Sequence, residues 1–113
     1  MIGAGNYCDG RYGAAACTGR GEIAIRAATA HSIVMYLRAG EAPADAGRRA
    51  MEELSELRDP YFSAMNCVIL APDGTHAALS SEERARYAFM DGTSAQVQEA
   101  PRIFVPVTAG PAQ

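Results

Sequence analysis

The chain has 113 residues, 49% of them hydrophobic and 20% charged, with a formal net charge of −3. That is one domain at most, large enough to bury a core. The arginines are scattered, no basic run is interleaved with aromatics, and no apolar run approaches the ~20 residues of a membrane span. A nucleic-acid partner and a membrane-spanning helix are therefore not expected.

Cys8, Cys17 and Cys67 are odd in number and widely spaced. This argues against a disulfide framework or a CxxC metal site, and for a reducing, cytoplasmic compartment. The N-terminus has no basic region followed by an apolar one, so no signal peptide is expected. Met1-Ile2-Gly3-Ala4-Gly5 begins abruptly, with no element before a glycine-rich loop.

In chain order, residues 3–11 read as loop, with Asp9-Gly10 as a turn. Residues 12–17 read as a short strand. Its run Gly13-Ala14-Ala15-Ala16 has weak strand propensity, and small side chains there imply that a helix or ligand packs very close. Residues 22–39 are the most secure helix. Ile23, Ala27, Ala30, Val34 and Leu37 form an apolar stripe, and Ile33 widens it. Glu22 suits the dipole of the first turn and is placed to pair with Arg26; Gly40 is a natural stop. Pro43 fits the first position of a second helix, with Ala46, Ala50, Leu54 and Leu57 as its stripe and Arg58-Asp59-Pro60 as its end. The short link makes the two helices antiparallel neighbours.

Residues 65–70 read as an apolar strand, Ala71-Pro72-Asp73-Gly74 as a turn, and 75–79 as the returning strand. Residues 80–83 form a loop, and 86–90 alternate like a third hairpin strand. Residues 93–113 read as an extended tail in which Ile103-Phe104-Val105 docks. The fold class is therefore α+β: two antiparallel helices on one face of a mostly antiparallel sheet. The chain offers no further element for the other face, which implies a partner.

Ala16-Cys17-Thr18-Gly19-Arg20-Gly21-Glu22 joins a strand to a helix start, where backbone N–H groups can stabilise negative charge. Two readings of Thr18 and Gly19 stand side by side. Their hydroxyl and N–H either form an oxyanion hole, or they are a helix N-cap and a tight turn. Residues 19–24 also fit the dinucleotide pattern G-x-G-x-x-[GA]. The following helix pair, in place of a second parallel strand, speaks against it. Cys17 and Cys67 read as buried, inert thiols. His31 and His76 read as solvent-facing or hydrogen-bonded, and Glu52, Glu53 and Glu56 as a solvated helix face.

The run Gly3-Ala4-Gly5-Asn6-Tyr7-Cys8-Asp9, followed by Gly13 to Glu22 and then Ile25-Arg26, resembles the threonine-dependent N-terminal-nucleophile amidohydrolases. These are the isoaspartyl peptidases with L-asparaginase activity and the glycosylasparaginases. Arg38-Ala39-Gly40, Ala42-Pro43-Ala44-Asp45-Ala46 and the Asp73-Gly74 hairpin fit the same family, so the resemblance covers roughly residues 2–92. It implies an α/β/β/α sandwich, of which residues 1–113 are the C-terminal, nucleophile-subunit portion. In such enzymes an N-terminal threonine attacks the side-chain amide of an asparagine-like substrate, with its own α-amine as base.

By that match, Thr18 and Gly19 form the oxyanion hole and hold the substrate. Gly21 lets the chain approach closely, and Glu22 with Arg26 holds the helix start. No cofactor is implied. The implied partners are an N-terminal portion or subunit of the same enzyme, a homo-oligomer of heterodimers, and a small amide substrate. The family's nucleophile, and the arginine and aspartate that grip the substrate, lie before the Gly-Ala-Gly loop and would precede Met1. Thr29, Thr75, Thr93 and Thr108 lie in no context that replaces the nucleophile. The isolated chain is therefore expected to be inactive. The reading from a different class is a non-catalytic binding or partner subunit that keeps the fold.

Overall fold

A computed structural model of the chain describes residues 1–93 and 95–108. A five-stranded sheet in the order β1-β2-β3-β4-β7 is built from β1 (Asn6–Asp9), β2 (Gly13–Gly19), β3 (Met65–Leu70), β4 (His76–Ser80) and β7 (Ile103–Phe104). Its first three pairings are antiparallel, and β7 joins β4 in parallel. The helices α1 (Gly21–Ala27), α2 (Thr29–Arg38) and α3 (Pro43–Leu54) stand between β2 and β3 in the chain. The observed class is the expected α+β arrangement.

Strand alternation sorts the sheet into two faces. Gly13 and Ala15 of β2, with Met65, Cys67 and Ile69 of β3, are buried in the core beneath the helices. The close packing inferred from the small residues of β2 is present. A β-carbon on Gly13 would lie 2.7 Å from Leu37 Cδ1. Gly47 does the same from the helix side, where a β-carbon would lie 2.7 Å from Ile69 Cδ1.

Residues 3–11, expected as loop, contain β1. Its sequence Asn-Tyr-Cys-Asp has few strand formers, and its pairing with β2 supplies the order that local propensity does not.

The long helix expected over residues 22–39 breaks at Ala28, which adopts the left-handed conformation with φ 48°. The N–H groups of Ala30 and His31 donate to the carbonyls of Ala4 and Gly3 at 3.2 and 2.9 Å. First-turn amides have no partner inside their own helix. The glycine-rich loop thus caps α2 and offsets the roughly 1–2 kcal/mol cost of a left-handed alanine. The apolar stripe survives the break, since Ile23, Ala30, Ile33 and Val34 are all buried.

Gly40, at φ 98°, ends α2 as expected. The bonds Glu41 N–H to Tyr36 O and Gly40 N–H to Leu37 O form a Schellman closure. Pro43 opens α3 at its first turn. That helix ends at Leu54, short of the Arg58-Asp59-Pro60 stop.

The β3–β4 hairpin forms as expected, with β4 shifted one residue along to His76–Ser80 and Gly74 N–H donating to the Ala71 carbonyl at 3.0 Å. The third strand, β5 (Arg86–Phe89), does not extend it. It pairs with β6 (Gln98–Pro101) in a separate ribbon, and β7 takes the free edge of β4 instead. The expected tail over residues 93–113 is therefore extended but hydrogen-bonded, and Ile103-Phe104-Val105 docks as expected, with Val105 buried. Residues 94 and 109–113 of that tail lie outside the described residues.

The ribbon also corrects the expectation that nothing in the chain covers the second sheet face. His76 packs its ring 4.6 Å from that of Phe89, and its Nδ1 shares a 2.9 Å hydrogen bond with the Tyr87 hydroxyl. The cover is partial: Val68 and Leu70 remain 40% and 51% exposed.

Candidate active site

The register of β2 decides what its end presents. The Arg20 N–H donates to the Ala64 carbonyl at 3.0 Å, on the β3 side. The Cys17 N–H turns the other way, to the Gly5 carbonyl at 2.8 Å. Alternation along a strand then aims the Gly19 N–H toward the Gly5 side, where β1 has already ended. The Thr18 side chain points to the open sheet face, in one row with Asn66 and Ser80.

Between the ends of β1 and β2 lies a hollow of about 130 Å³. Thr18, Gly19 and Gly21, the three site residues expected from the sequence, all line it, with Gly5, Cys17 and Ile25 among the other walls. Thr18 is exposed. Thr18, Gly19 and Gly21 therefore border one small, mostly apolar space, toward whose Gly5 wall the Gly19 N–H is aimed.

The N-cap reading of Thr18 does not hold. Thr18 belongs to β2, Arg20 occupies the cap position with extended backbone, and no side chain caps α1. α1 is also only seven residues long, so its dipole is smaller than that of the single helix the periodicity predicts. The dinucleotide pattern fails on topology as well. The strand after the helices, β3, runs antiparallel to β2, whereas that fold needs a parallel crossover.

Glu22 pairs with Arg20 across 2.7 Å instead of with Arg26. Arg26 donates to the Arg58 carbonyl at 2.7 Å. Arg20 is the centre of a cluster not foreseen in the sequence. Its Nε donates to Asp59 Oδ2 at 2.7 Å, and its guanidinium lies 5.6 Å from the Tyr61 ring centroid. The Asp59 side chain is buried, and it also accepts the Tyr61 N–H at 3.0 Å. The Arg20 hydrogen bond holds the Asp59 carboxyl below its ordinary range, against the opposing effect of burial. Arg20, the one cationic side chain among the described residues on the wall of the hollow, is thus paired with two carboxylates.

Burial raises the Cys17 and Cys67 thiols to about 12, although only Cys67 is fully buried and Cys17 is half-buried. His31 is half-buried, with its ring edge on Tyr7 at 4.8 Å. Glu53 is not purely solvated: it accepts the Tyr36 hydroxyl. Among the described residues no group of three His, Cys, Asp or Glu side chains is placed to hold a metal ion, and no helix is long and apolar enough to cross a membrane.

Residues 1–99 match the family model described as Asparaginase. The chain belongs to the asparaginase family. The match runs past the roughly 2–92 span carried by the two motifs, into β6. N(4)-(beta-N-acetylglucosaminyl)-L-asparaginase of Rattus norvegicus is 35% identical over 65 residues, 58% of this chain. The same-named protein of Mus musculus is also 35% identical over 65 residues. The aligned segment covers 19% of each relative, so the chain spans about a fifth of the length of the curated relatives it matches. The threonine-hydrolase resemblance read from residues 3–9 and 13–22 thus names the family shown.

Proposed function

We propose that residues 1–113 are the C-terminal portion of an amidohydrolase that cleaves the side-chain amide of asparagine-like small molecules. The substrate is an isoaspartyl peptide, free asparagine or N4-glycosyl-asparagine. The Thr18 hydroxyl and Gly19 N–H donate to the tetrahedral oxyanion, and Gly21, having no side chain, lets the substrate approach the wall. The attacking threonine comes from an N-terminal portion or subunit, and the assembled enzyme is a homo-oligomer of such pairs. The observation that supports this reading is that Thr18, Gly19 and Gly21 line one hollow beside the end of β2 in a chain of the asparaginase family.

An oxyanion hole without an attacking group retains only a small part of the rate. The purified 113-residue chain is therefore inactive toward isoaspartyl dipeptide, asparagine and glycosyl-asparagine. Co-expression with an upstream, threonine-led segment restores turnover. Family-like turnover by the chain alone would refute the division of labour. Binding of these amides without turnover by the co-expressed pair would favour a non-catalytic binding subunit.

A further inference from the structure

Cys17 and Cys67 face each other directly across the β2–β3 ladder, and both are free thiols. Because the Cys17 N–H bonds the Gly5 carbonyl and not β3, the two cysteines form a non-hydrogen-bonded pair. The Cα atoms of such a pair sit about 4.5 Å apart, inside the range of roughly 4.4–6.8 Å that disulfides span. Their exposure differs in a useful way. Cys67 is 1% exposed, whereas Cys17 is half-buried and lines the hollow beside Thr18.

We propose that Cys17 and Cys67 are a thiol–disulfide exchange site, which a small oxidised disulfide entering the hollow converts to a reversible cross-strand disulfide. Cys17 is the entry thiol and Cys67 the resolving one. The Cys17 thiolate attacks one sulfur of the oxidant RSSR. A Cys17–S–S–R bond forms, the oxidant's S–S bond breaks, and RS⁻ leaves. The Cys67 thiolate then attacks Cys17 Sγ and displaces the second RS⁻. The chain gives up two protons and two electrons, and RSSR becomes two RSH.

Burial holds both thiols mostly protonated at neutral pH, which makes the exchange slow without forbidding it. The link would tie β2 to β3 one residue before the Thr18–Asn66 pair, at the wall that carries Thr18 and Gly19. Cys8 is exposed on β1 opposite Ala14, so it stands outside this pair and reports whether the oxidant is active.

The test uses the native full chain with oxidised glutathione at mildly alkaline pH, followed until the thiol content is constant. Trypsin places each cysteine in its own peptide: residues 1–11, 12–20 and 59–84. The expected product carries a glutathione adduct on Cys8 and a linked pair of the 12–20 and 59–84 peptides lighter by two hydrogens, and dithiothreitol reverses both. In Cys67→Ala, Cys17 stops at a glutathione adduct, alongside that on Cys8. A fully modified Cys8 with Cys17 and Cys67 still present as separate thiols or separate adducts overturns the proposal.

Discussion

Gly19 sits directly against the Ala64 carbonyl oxygen, which occupies the space that a β-carbon on Gly19 would need. The same oxygen accepts the Arg20 N–H at 3.0 Å, so it is held in place and cannot give way. Gly19 also has φ 123°, a conformation that side-chain-bearing residues rarely adopt.

Gly19→Ala is therefore expected to destabilise the chain by about 3 kcal/mol, from backbone strain and a clash with main chain together. Urea unfolding of the purified chain measures this. A change below about 0.5 kcal/mol, the usual size of an innocent surface substitution, would mean that the junction is looser than its geometry indicates.

Thr18→Val separates a structural threonine from a functional one. Thr18 is exposed near the end of β2, and valine is a good strand former, so the unfolding midpoint should hardly move. In the assembled, threonine-led enzyme, loss of one oxyanion donor should lower kcat about 10²–10³-fold, with KM changed much less. Thr18→Ser, which keeps the hydroxyl, should recover most of the rate. An unaffected kcat in Thr18→Val would remove Thr18 from the site.

Asp59 gives a pH signature. Its folded carboxyl titrates below the ordinary 3.8, chiefly because of the Arg20 hydrogen bond. A carboxyl depressed in the folded state adds stability that is fully present above its unfolded value and is lost as pH falls through its folded value. The native chain should therefore lose stability as pH falls below about 4, and Asp59→Asn should flatten part of that loss. Asp9 and Asp73 are depressed too, and they keep titrating in the variant. Thermal melts between neutral and strongly acid pH compare the two chains; superimposable acid limbs would contradict the Arg20–Asp59 assignment.

Gly47→Ala sets helix propensity against packing. Alanine gains up to about 1 kcal/mol over glycine inside a helix. The added carbon would press on the tips of Leu79 and Ile69, both at most 2% exposed, which leaves them little room to move. Overpacking of this kind costs about 1–3 kcal/mol, so a net loss of about 1 kcal/mol is expected in denaturant titrations. A stabilised variant would show that these side chains repack freely.

The parts of the fold that rest on local chemistry were legible in the residues alone. The apolar stripe from Ile23 to Leu37, the glycine stop at Gly40, Pro43 opening α3, and the Pro72-Asp73-Gly74 hairpin each follow from propensity and spacing within a few neighbours. The two motifs around Gly3-Ala4-Gly5 and Thr18-Gly19-Arg20-Gly21-Glu22 were enough to point to the family that residues 1–99 match. The break at Ala28 was not legible, because its compensation comes from the Gly3 and Ala4 carbonyls, some 25 residues away. β6 and β7 were not either, since Gln98–Pro101 and Ile103–Phe104 become strands only through the partners they pair with.

The site divides along the same line. Residue types alone left Thr18 and Gly19 between a donor pair and a helix cap, and the family resemblance favoured the donors. Only the pairing decided that Thr18 is a strand residue and not a helix cap and that the Gly19 N–H turns to the Gly5 side, and only the tertiary fold set Asp59 on Arg20 from 39 positions away. Local sequence carries backbone preference, whereas the direction of a strand's N–H groups and the partner of a buried charge are set by what lies across from them in space.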